Sequence, residues 1–455
     1  MDAVSEYLVQ ENKGEKMQVK YHERADSNDI KNFYSHVKES VANAEVATYL
    51  ETCVRCGLCA EACHYYLAEN ISGNPRPDLV PAHKGDLLRK IYYENYTFLG
   101  KIKKFLGFGV KITPQDLKEQ SMLAYDTCSN CDRCSRVCPM GIHTPTLTAI
   151  LRGALTKASQ LPPDLVEPIN NAINVNNPMG IDVPHYIGLI EKISKEHNVQ
   201  IPIDKPDSEY VLIYTALDEG VYNDNIVNEA KILNKAGVNW TVSTIAREGS
   251  NFGIFAGSKE IQKEIAKRVL EGARAVGAKK IIISECGHGY WANRFVAPNL
   301  IEDWDLEAYQ MVEVIYKLIK DKKLTIKRKV LHEVATFHDG CQIGRRSGVI
   351  KEAREIINML TDYYKESSGS AEKSFCCGGG GGIVLNKRAH DYMEKAFLLK
   401  IEQFDKVEAK HVITECVNCE FVIDNDIKSY NRGYQKHSIS SLVVKAIEDE
   451  KEGEE

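Results

Sequence analysis

A chain of 455 residues exceeds one compact domain, and a length prior gives about three. Hydrophobic residues at 43% and charged residues at 27% exclude disordered and fibrous folds, and a formal charge of −6 excludes the basic footprint of a nucleic-acid binder. No run of about 18 apolar residues occurs, and the N-terminus MDAVSEYLVQENKGEK carries charges where a signal peptide needs an apolar core, so neither a spanning helix nor a secretory signal is predicted. Fourteen cysteines grouped at two- and three-residue gaps then read as metal ligands rather than disulfides.

In chain order, residues 1–40 are polar and charged and read as surface structure. A helix is predicted at 42–52, leading into the first cysteine group, with others near 84–98, 115–125 and from Pro145 to Ala158. The stretch 159–208 is rich in Pro and Asn and reads as a linker with one short helix. From 209 the pattern changes to short β-branched runs alternating with amphipathic helices. These are YVLIYTA, helices at 225–237 and 259–277, and KIIIS at 280–284, then VATFH at 334–338, helices near 349–361 and 387–404, and HVITE at 411–415. The two blocks read as an internal duplication, since KKIIISECGHG (279–289) matches KHVITECVNCE (410–420) and pairs Cys286 with Cys416. The first copy keeps one cysteine where the second has five, with Glu248-Gly249-Ser250 standing opposite Cys376-Cys377-Gly378.

Cys53, Cys56, Cys59 and Cys63 form C-x-x-C-x-x-C-x-x-x-C, and after 64 residues Cys128, Cys131, Cys134 and Cys138 repeat it with Pro139 behind. Three thiolates of one tight loop reach three irons of a cube, while the fourth cysteine, carried away by the following helix, reaches the other cluster. The predicted cubane [4Fe–4S] ligand sets are therefore Cys53, Cys56, Cys59 with Cys138, and Cys128, Cys131, Cys134 with Cys63. Zinc is the rival, but zinc sites pair C-x-x-C units rather than using two identical eleven-residue runs. Arg55, Arg133 and Arg136 lie between ligands and read either as counter-charges to the clusters or as solvated loop charges.

Cys341 is followed after 34 residues by Cys376-Cys377-Gly378, and after 38 more by Cys416-Val417-Asn418-Cys419. This ordered pattern resembles the CCG family, which includes the B and D subunits of heterodisulfide reductase, the iron–sulfur subunits of glycolate and glycerol-3-phosphate oxidation, and a cytoplasmic component of membrane complexes of dissimilatory sulfur metabolism. The resemblance covers about residues 45–445. It implies a noncubane [4Fe–4S] cluster held by Cys341, Cys376, Cys377, Cys416 and Cys419, at which a sulfur–sulfur bond is split. From the residues themselves, adjacent cysteines suggest an open or bridged cluster. Glycines from Gly378 and Gly379 onward permit positive φ and bring backbone N–H groups close to sulfur. His338, three residues before Cys341, reads as a proton donor to a leaving thiolate, given an ordinary pKa of about 6.5, or as a packed strand-end histidine. SECGHG (284–289) is similar to the first-copy motif of DsrK/HmeD-type subunits, and would aim Cys286 and His288 at the cluster if the copies pack face to face.

The expected fold is α+β multidomain: an N-terminal all-α ferredoxin-like 2x[4Fe–4S] domain followed by two tandem α/β CCG domains. The expected boundaries are an N-terminal segment 1–44, a dicluster domain 45–158, a linker 159–208, a degenerate first CCG domain 209–325, a second CCG domain 326–447 and an acidic tail 448–455. The resemblance implies the catalytic component of a quinone-linked (menaquinol) membrane complex that reduces a disulfide or trisulfide, with a DsrC-type protein substrate. It implies a membrane cytochrome b-type partner, and a cytoplasmic location on the inner face of the membrane through partner subunits. Docking through the basic stretch GKIKKFLGFGVKI (100–112) is one expectation, and a solvated helix edge the other. Rival readings are the D subunit of a CoM-S-S-CoB heterodisulfide reductase, an electron relay for a flavin-dependent hydroxy-acid or glycerol-3-phosphate dehydrogenase, and a scaffold whose clusters merely hold the fold. No flavin or nucleotide is expected, because the glycine run follows cysteines and lacks the acidic partner of a dinucleotide fingerprint.

Overall fold

The structure, a computed structural model, describes residues 17–448. Residues 1–16 and nearly all of the acidic tail expected at 448–455 lie outside the described residues.

From Ser27 to Glu196 every described element is helical. The centre of this region is the helix Thr144–Lys157, which buries Leu147, Leu151, Ala154 and Leu155 on one side and Thr148 and Arg152 on another. Against it lies the helix Ser27–Ser40, opened by a capping box in which Asp26 and Asp29 each accept from the other's backbone region. That helix buries Phe33 and Val37 completely, so the stretch read as surface structure is core in its second half: the apolar spacing of 33, 37 and 41 lies on one helical face among charged neighbours. The stretch 159–208 also departs from expectation. It holds two helices, Pro163–Asn174 and Val183–Glu196, whose Leu165, Ile169, Tyr186, Ile190 and Ile193 are buried. Of the prolines that suggested a linker, Pro162, Pro163 and Pro184 sit at the starts of these helices, where a missing N–H costs nothing; Pro168 lies inside the first, and Pro178, Pro202 and Pro206 lie outside both.

Two parallel sheets follow. Strands β1 (Tyr210–Ile213), β2 (Trp240–Thr241), β3 (Lys280–Ile283) and β4 (Glu307–Gln310) order as β2-β1-β3-β4. Strands β5 (Ala335–His338), β6 (His411–Thr414) and β7 (Gln435–Ser438) order as β5-β6-β7. β1 and β6 are buried throughout, as expected for parallel strands covered by helices on both faces. In such sheets, ligands gather beyond the carboxyl ends of the strands. Those ends carry Cys286 after β3, Cys341 after β5 and Cys416 after β6. The two sets of ends meet directly. Val417 N–H donates to Glu285 O at 2.5 Å, Ser440 N–H to Glu285 Oε1 at 2.9 Å, and Gln310 Nε2 to Glu415 O at 3.2 Å.

The helical part joins the first sheet's surroundings by close backbone approach. Gly257 has φ +63°, and a Cβ there would stand 2.4 Å from Gly153 N and 2.5 Å from Ala149 O on the central helix. Gly257→Ala is therefore expected to destabilise the protein by about 2 kcal/mol through steric displacement and a left-handed alanine. Chemical denaturation against wild type checks this.

Candidate iron–sulfur sites

The cysteine groups form three sites. Cys53, Cys56 and Cys59 share one cavity with Cys134, Cys138, Pro139 and Met140. Cys63 lines a second cavity with Cys128, Cys131 and Cys134, together with Lys84 and His64. The cavities thus bring Cys138 to the first loop and Cys63 to the second, while Cys134 lines both. This arrangement arises because the short helices Leu58–Ala62 and Arg133–Arg136 each carry the fourth cysteine away from its own loop. Gly57 at φ +86° and Asp132 at φ +67° make the left-handed turns that open these helices.

The third site is more deeply buried. Cys341, Cys376, Cys377, Cys416 and Cys419 are all at most 6% exposed. Cys341 and Cys376 stand 3.8 Å apart at sulfur. Cys376, Cys377, Cys419 and Cys416 form a further run of mutual thiol contacts. Cys377 is pushed down to about 5 by hydrogen bonds from Cys376 and Cys419, while Cys419 and Cys341, as donors, are raised. The glycine run closes around the sulfurs: Gly378 has φ +99°, and its N–H points at Cys376 Sγ from 3.4 Å. A Cβ on Gly379 would meet Val422 at 2.4 Å and Val384 at 2.6 Å, so only glycine fits there. Ser129 Oγ and Gln342 Nε2 donate to Cys376 Sγ at 3.5 Å and Cys341 Sγ at 3.8 Å.

A donor set of five converging buried thiols with N–H and O–H groups aimed at sulfur suits an iron–sulfur cluster, whose anionic sulfurs need such hydrogen bonds. His338 adds a sixth candidate donor: it is fully buried, neither ring nitrogen has a partner, and a ring nitrogen, Cys377 Sγ and Cys419 Sγ lie within 4.8 Å of one another. Burial and the nearby Lys400 ammonium hold His338 well below 6.5, so it stands neutral and is not a standing proton store.

The second and third sites adjoin. Ser129, between Cys128 and Cys131, donates from Oγ to Cys376 Sγ at 3.5 Å, and the nearby Cys376 thiol raises Cys131. Two buried arginines clasp the loops that carry them. Arg152 donates to Ala124 O at 3.0 Å, Cys128 O at 2.9 Å and Gly381 O at 2.7 Å, and Arg345 donates to Cys131 O at 2.8 Å, Glu372 O at 2.7 Å and Ser374 O. Gln342 reaches Asn130 O at 3.0 Å, and Tyr65 OH reaches Gly378 O at 2.5 Å. None of these residues stood out in the sequence, although an arginine among the buried apolar positions of LTAILRGAL was a signal. Of the arginines that did stand out, Arg55 pairs with Asp86 and Arg136 with Asp132, while Arg133 donates to the carbonyls of Ala62 and Lys373 and stands within electrostatic reach of Cys131 and Cys63. Two buried lysines also lie beside the thiols: Lys84, on the wall of the second cavity, and Lys400, held by Gln403 at 2.8 Å near the third site.

The first sheet brings Cys286 and His288 to the CCG loops. Cys286 faces Cys416, and its thiol is pushed up to about 12 by burial and that neighbour. His288 Nε2 accepts the N–H of Gly381 at 3.2 Å. Opposite the CCG motif, Glu248 is buried and accepts the N–H groups of Asn251 and Phe252 at 3.0 and 3.4 Å.

Two domain models match this chain: a 4Fe–4S dicluster domain over residues 49–142 and a cysteine-rich CCG domain over 335–424. The chain is an iron–sulfur protein. It matches both modules and is similar to iron–sulfur proteins of the heterodisulfide reductase D-like kind. It is 26% identical over 368 residues to the Hdr-like menaquinol oxidoreductase iron-sulfur subunit 2 of Archaeoglobus fulgidus, covering 71% of this chain and 65% of that protein. It is 28% identical over 331 residues to the D subunit of the dihydromethanophenazine:CoB–CoM heterodisulfide reductase of Methanosarcina acetivorans, covering 68% and 73%. It is also 28% identical over 326 residues to the EtfAB:quinone oxidoreductase of Syntrophomonas wolfei, covering 68% and 44%. The chain thus spans just under two thirds of the Archaeoglobus protein's length.

Two outcomes follow from this geometry. Arg152→Met leaves three buried carbonyls without donors and is expected to lower stability by about 2–4 kcal/mol in denaturant titration. Burial raises Glu248 from 4.5 to about 7. The folded state therefore holds its proton more tightly than the unfolded state, and this group's contribution to stability is lost as pH rises from 4.5 to 7. Glu248→Gln is expected to flatten that part of the stability profile by up to about 3 kcal/mol between pH 4.5 and 7, measured as the difference from wild type.

Proposed function

We propose that this chain is the iron–sulfur oxidoreductase component of a menaquinol-linked, heterodisulfide-reductase-like membrane complex. In it, electrons pass through two cubane clusters to the CCG site and reduce a sulfur–sulfur bond. Cys53, Cys56, Cys59 and Cys138 would hold the first cubane, Cys128, Cys131, Cys134 and Cys63 the second, and Cys341, Cys376, Cys377, Cys416 and Cys419 a noncubane [4Fe–4S] cluster. When bound, the clusters supply single electrons, and the third supplies a sulfur-rich surface where a disulfide or trisulfide is cleaved. The overall step, RS–SR′ with two electrons and two protons giving RSH and R′SH, needs a site that water does not flood.

The observation that carries this reading is the meeting of the second cysteine loop with the third site, where Ser129 Oγ donates to Cys376 Sγ at 3.5 Å and Gln342 Nε2 to Asn130 O at 3.0 Å. A relay ending in a buried site of five thiols fits terminal chemistry at the third site, since simple onward transfer needs four. The chain's own residues serve it in distinct ways. Arg152 and Arg345 hold the two loops together and exclude solvent; Ser129, Gln342 and the Gly378 N–H stabilise anionic sulfur; Lys400 offsets negative charge; Cys286 and His288 close the site from the first sheet. The substrate is proposed to be a DsrC-type protein disulfide or trisulfide, with a cytochrome b-type membrane protein as electron donor and the chain on the cytoplasmic face of the membrane. The sulfur-metabolism relatives to which SECGHG is similar support this choice over CoM-S-S-CoB. The two α/β halves are proposed to descend from one duplicated unit, because in each a cysteine follows the same kind of strand and caps the next helix.

Anaerobically purified protein is expected to hold about twelve irons per chain and no zinc, three clusters of four. Cys376→Ala/Cys377→Ala is expected to lose about four of them and all cleavage of a mixed disulfide, while keeping two reducible cubanes. Cys286→Ser is expected to keep the iron and cleave at least about tenfold more slowly. Unchanged iron and cleavage in the double variant contradict the reading, and full turnover by Cys286→Ser removes that residue from the reaction.

A further inference from the structure

The helix Phe98–Phe105 buries none of its residues. Phe98, Leu99, Phe105, Leu106 and Phe108 are 79%, 70%, 91%, 62% and 77% exposed, and Ile102 is exposed beside them. Positions 98, 102, 105 and 106 recur at helical spacing, so these side chains form one ridge rather than scattered contacts. Isolated exposed apolar residues are ordinary, whereas a contiguous group of this size marks an interaction surface.

The ridge is held rigidly. A Cβ on Gly100 would stand 1.8 Å from Tyr93 O, so the ridge helix lies backbone to backbone on the preceding helix Asp86–Tyr96. Thr97 caps it through Gly100 N–H at 3.1 Å. Lys104 turns inward to Tyr34 at 2.9 Å, Asn95 at 3.0 Å and Glu94 at 2.9 Å. Glu94 also accepts the Val110 N–H, which pins the loop behind Phe108. The apolar side chains are thus presented outward by buried polar contacts.

Charge identifies the occupant. Residues 97–113 contain four lysines and no acidic residue, in a chain of net charge −6. Lys101, Lys103 and Lys111 are exposed and have no ion pair among the described residues. A convex row of phenylalanines and leucines flanked by free lysines matches the interfacial layer of a membrane, where apolar side chains enter the acyl boundary and ammonium groups meet anionic headgroups.

We propose that the Phe98–Phe108 ridge seats this protein directly on an anionic lipid bilayer, by partial insertion and without a spanning helix. Among the described residues no helix is long and apolar enough to cross a membrane. The ridge also fixes an orientation. The helix Asp86–Tyr96 starts beside the first cysteine loop, where Asp86 pairs with Arg55 at 2.7 Å and Arg89 donates to Leu50 O at 2.8 Å, and it ends at the ridge. Its eleven residues rise about 16 Å, so docking holds the Cys53–Cys59 loop about one helix length from the lipid, with Cys56 exposed for electron entry. This inference is independent of the chemistry assigned to the CCG site.

The test is flotation of the full-length, cluster-loaded protein with protein-free vesicles of phosphatidylglycerol and phosphatidylcholine, or of phosphatidylcholine alone. The expected result is binding to the anionic vesicles that falls with added salt and is at least about tenfold weaker on phosphatidylcholine. Phe98→Ser/Phe105→Ser, which alters only exposed side chains, is expected to lose binding at least about tenfold with its iron content and electron paramagnetic resonance signals unchanged. Failure of the wild type to float with either vesicle, or flotation only when the vesicles carry an integral membrane protein, overturns the proposal; so does equal flotation of wild type and variant.

Discussion

Thiols arranged as anionic sites have to be buried, kept close enough to exchange electrons, and kept apart from water. Everything else in this structure is arranged around that demand. Sulfur makes weak hydrogen bonds and offers no rigid geometry of its own, so the positions of the thiols are set by backbone. Arg152 and Arg345 do this for the junction of the second and third sites. Each is buried, and each spends its guanidinium on carbonyls from both sides: Cys128 and Gly381 for Arg152, Cys131 and Ser374 for Arg345. A planar fork of five donors is suited to bridging several carbonyls at once, and lysine could not replace it. The same residues put positive charge beside the sulfur sites, which lowers the cost of the negative charge that reduction adds.

The two α/β halves divide the work unequally. The second supplies five thiols from the carboxyl ends of β5 and β6 and from the glycine run between them. The first supplies a cap. In the first half Glu248 is buried and receives the backbone N–H groups of Asn251 and Phe252. What this half retains, Cys286 and His288, faces the partner half through Cys416 and Gly381. The first half thus covers the second, and its contacts reach the Cys416 thiol and the Gly381 backbone.

Spacing made much of this legible. The strands at 210–213, 280–283, 335–338 and 411–414 lie on the β-branched runs, and Cys63 and Cys138 each lie with the other group's loop as the ferredoxin-like spacing suggests. What was not legible shares one cause: it depends on partners distant in sequence. The clasp of Arg152 on Gly381 spans 229 positions and that of Arg345 on Cys131 spans 214, and apart from the apolar run around Arg152 nothing local distinguishes these arginines from Arg55 or Arg133. Composition misled at 159–208, where prolines in first turns of buried helices resemble a linker, and at 27–40, where two buried side chains sit among charges. The ridge at 98–108 was visible as a basic stretch, but its rigidity rests on Gly100 and Glu94, which only the packing reveals.

Whether the five-thiol site holds a cluster that engages sulfur substrates directly is tested most directly by low-temperature electron paramagnetic resonance of the oxidised protein, titrated with a thiol. The expected result is an oxidised-state signal, distinct from the two cubanes, that changes when thiol is added. A third cluster whose signal ignores thiol, or no signal beyond those of the two cubanes, contradicts direct engagement and leaves the protein an electron relay.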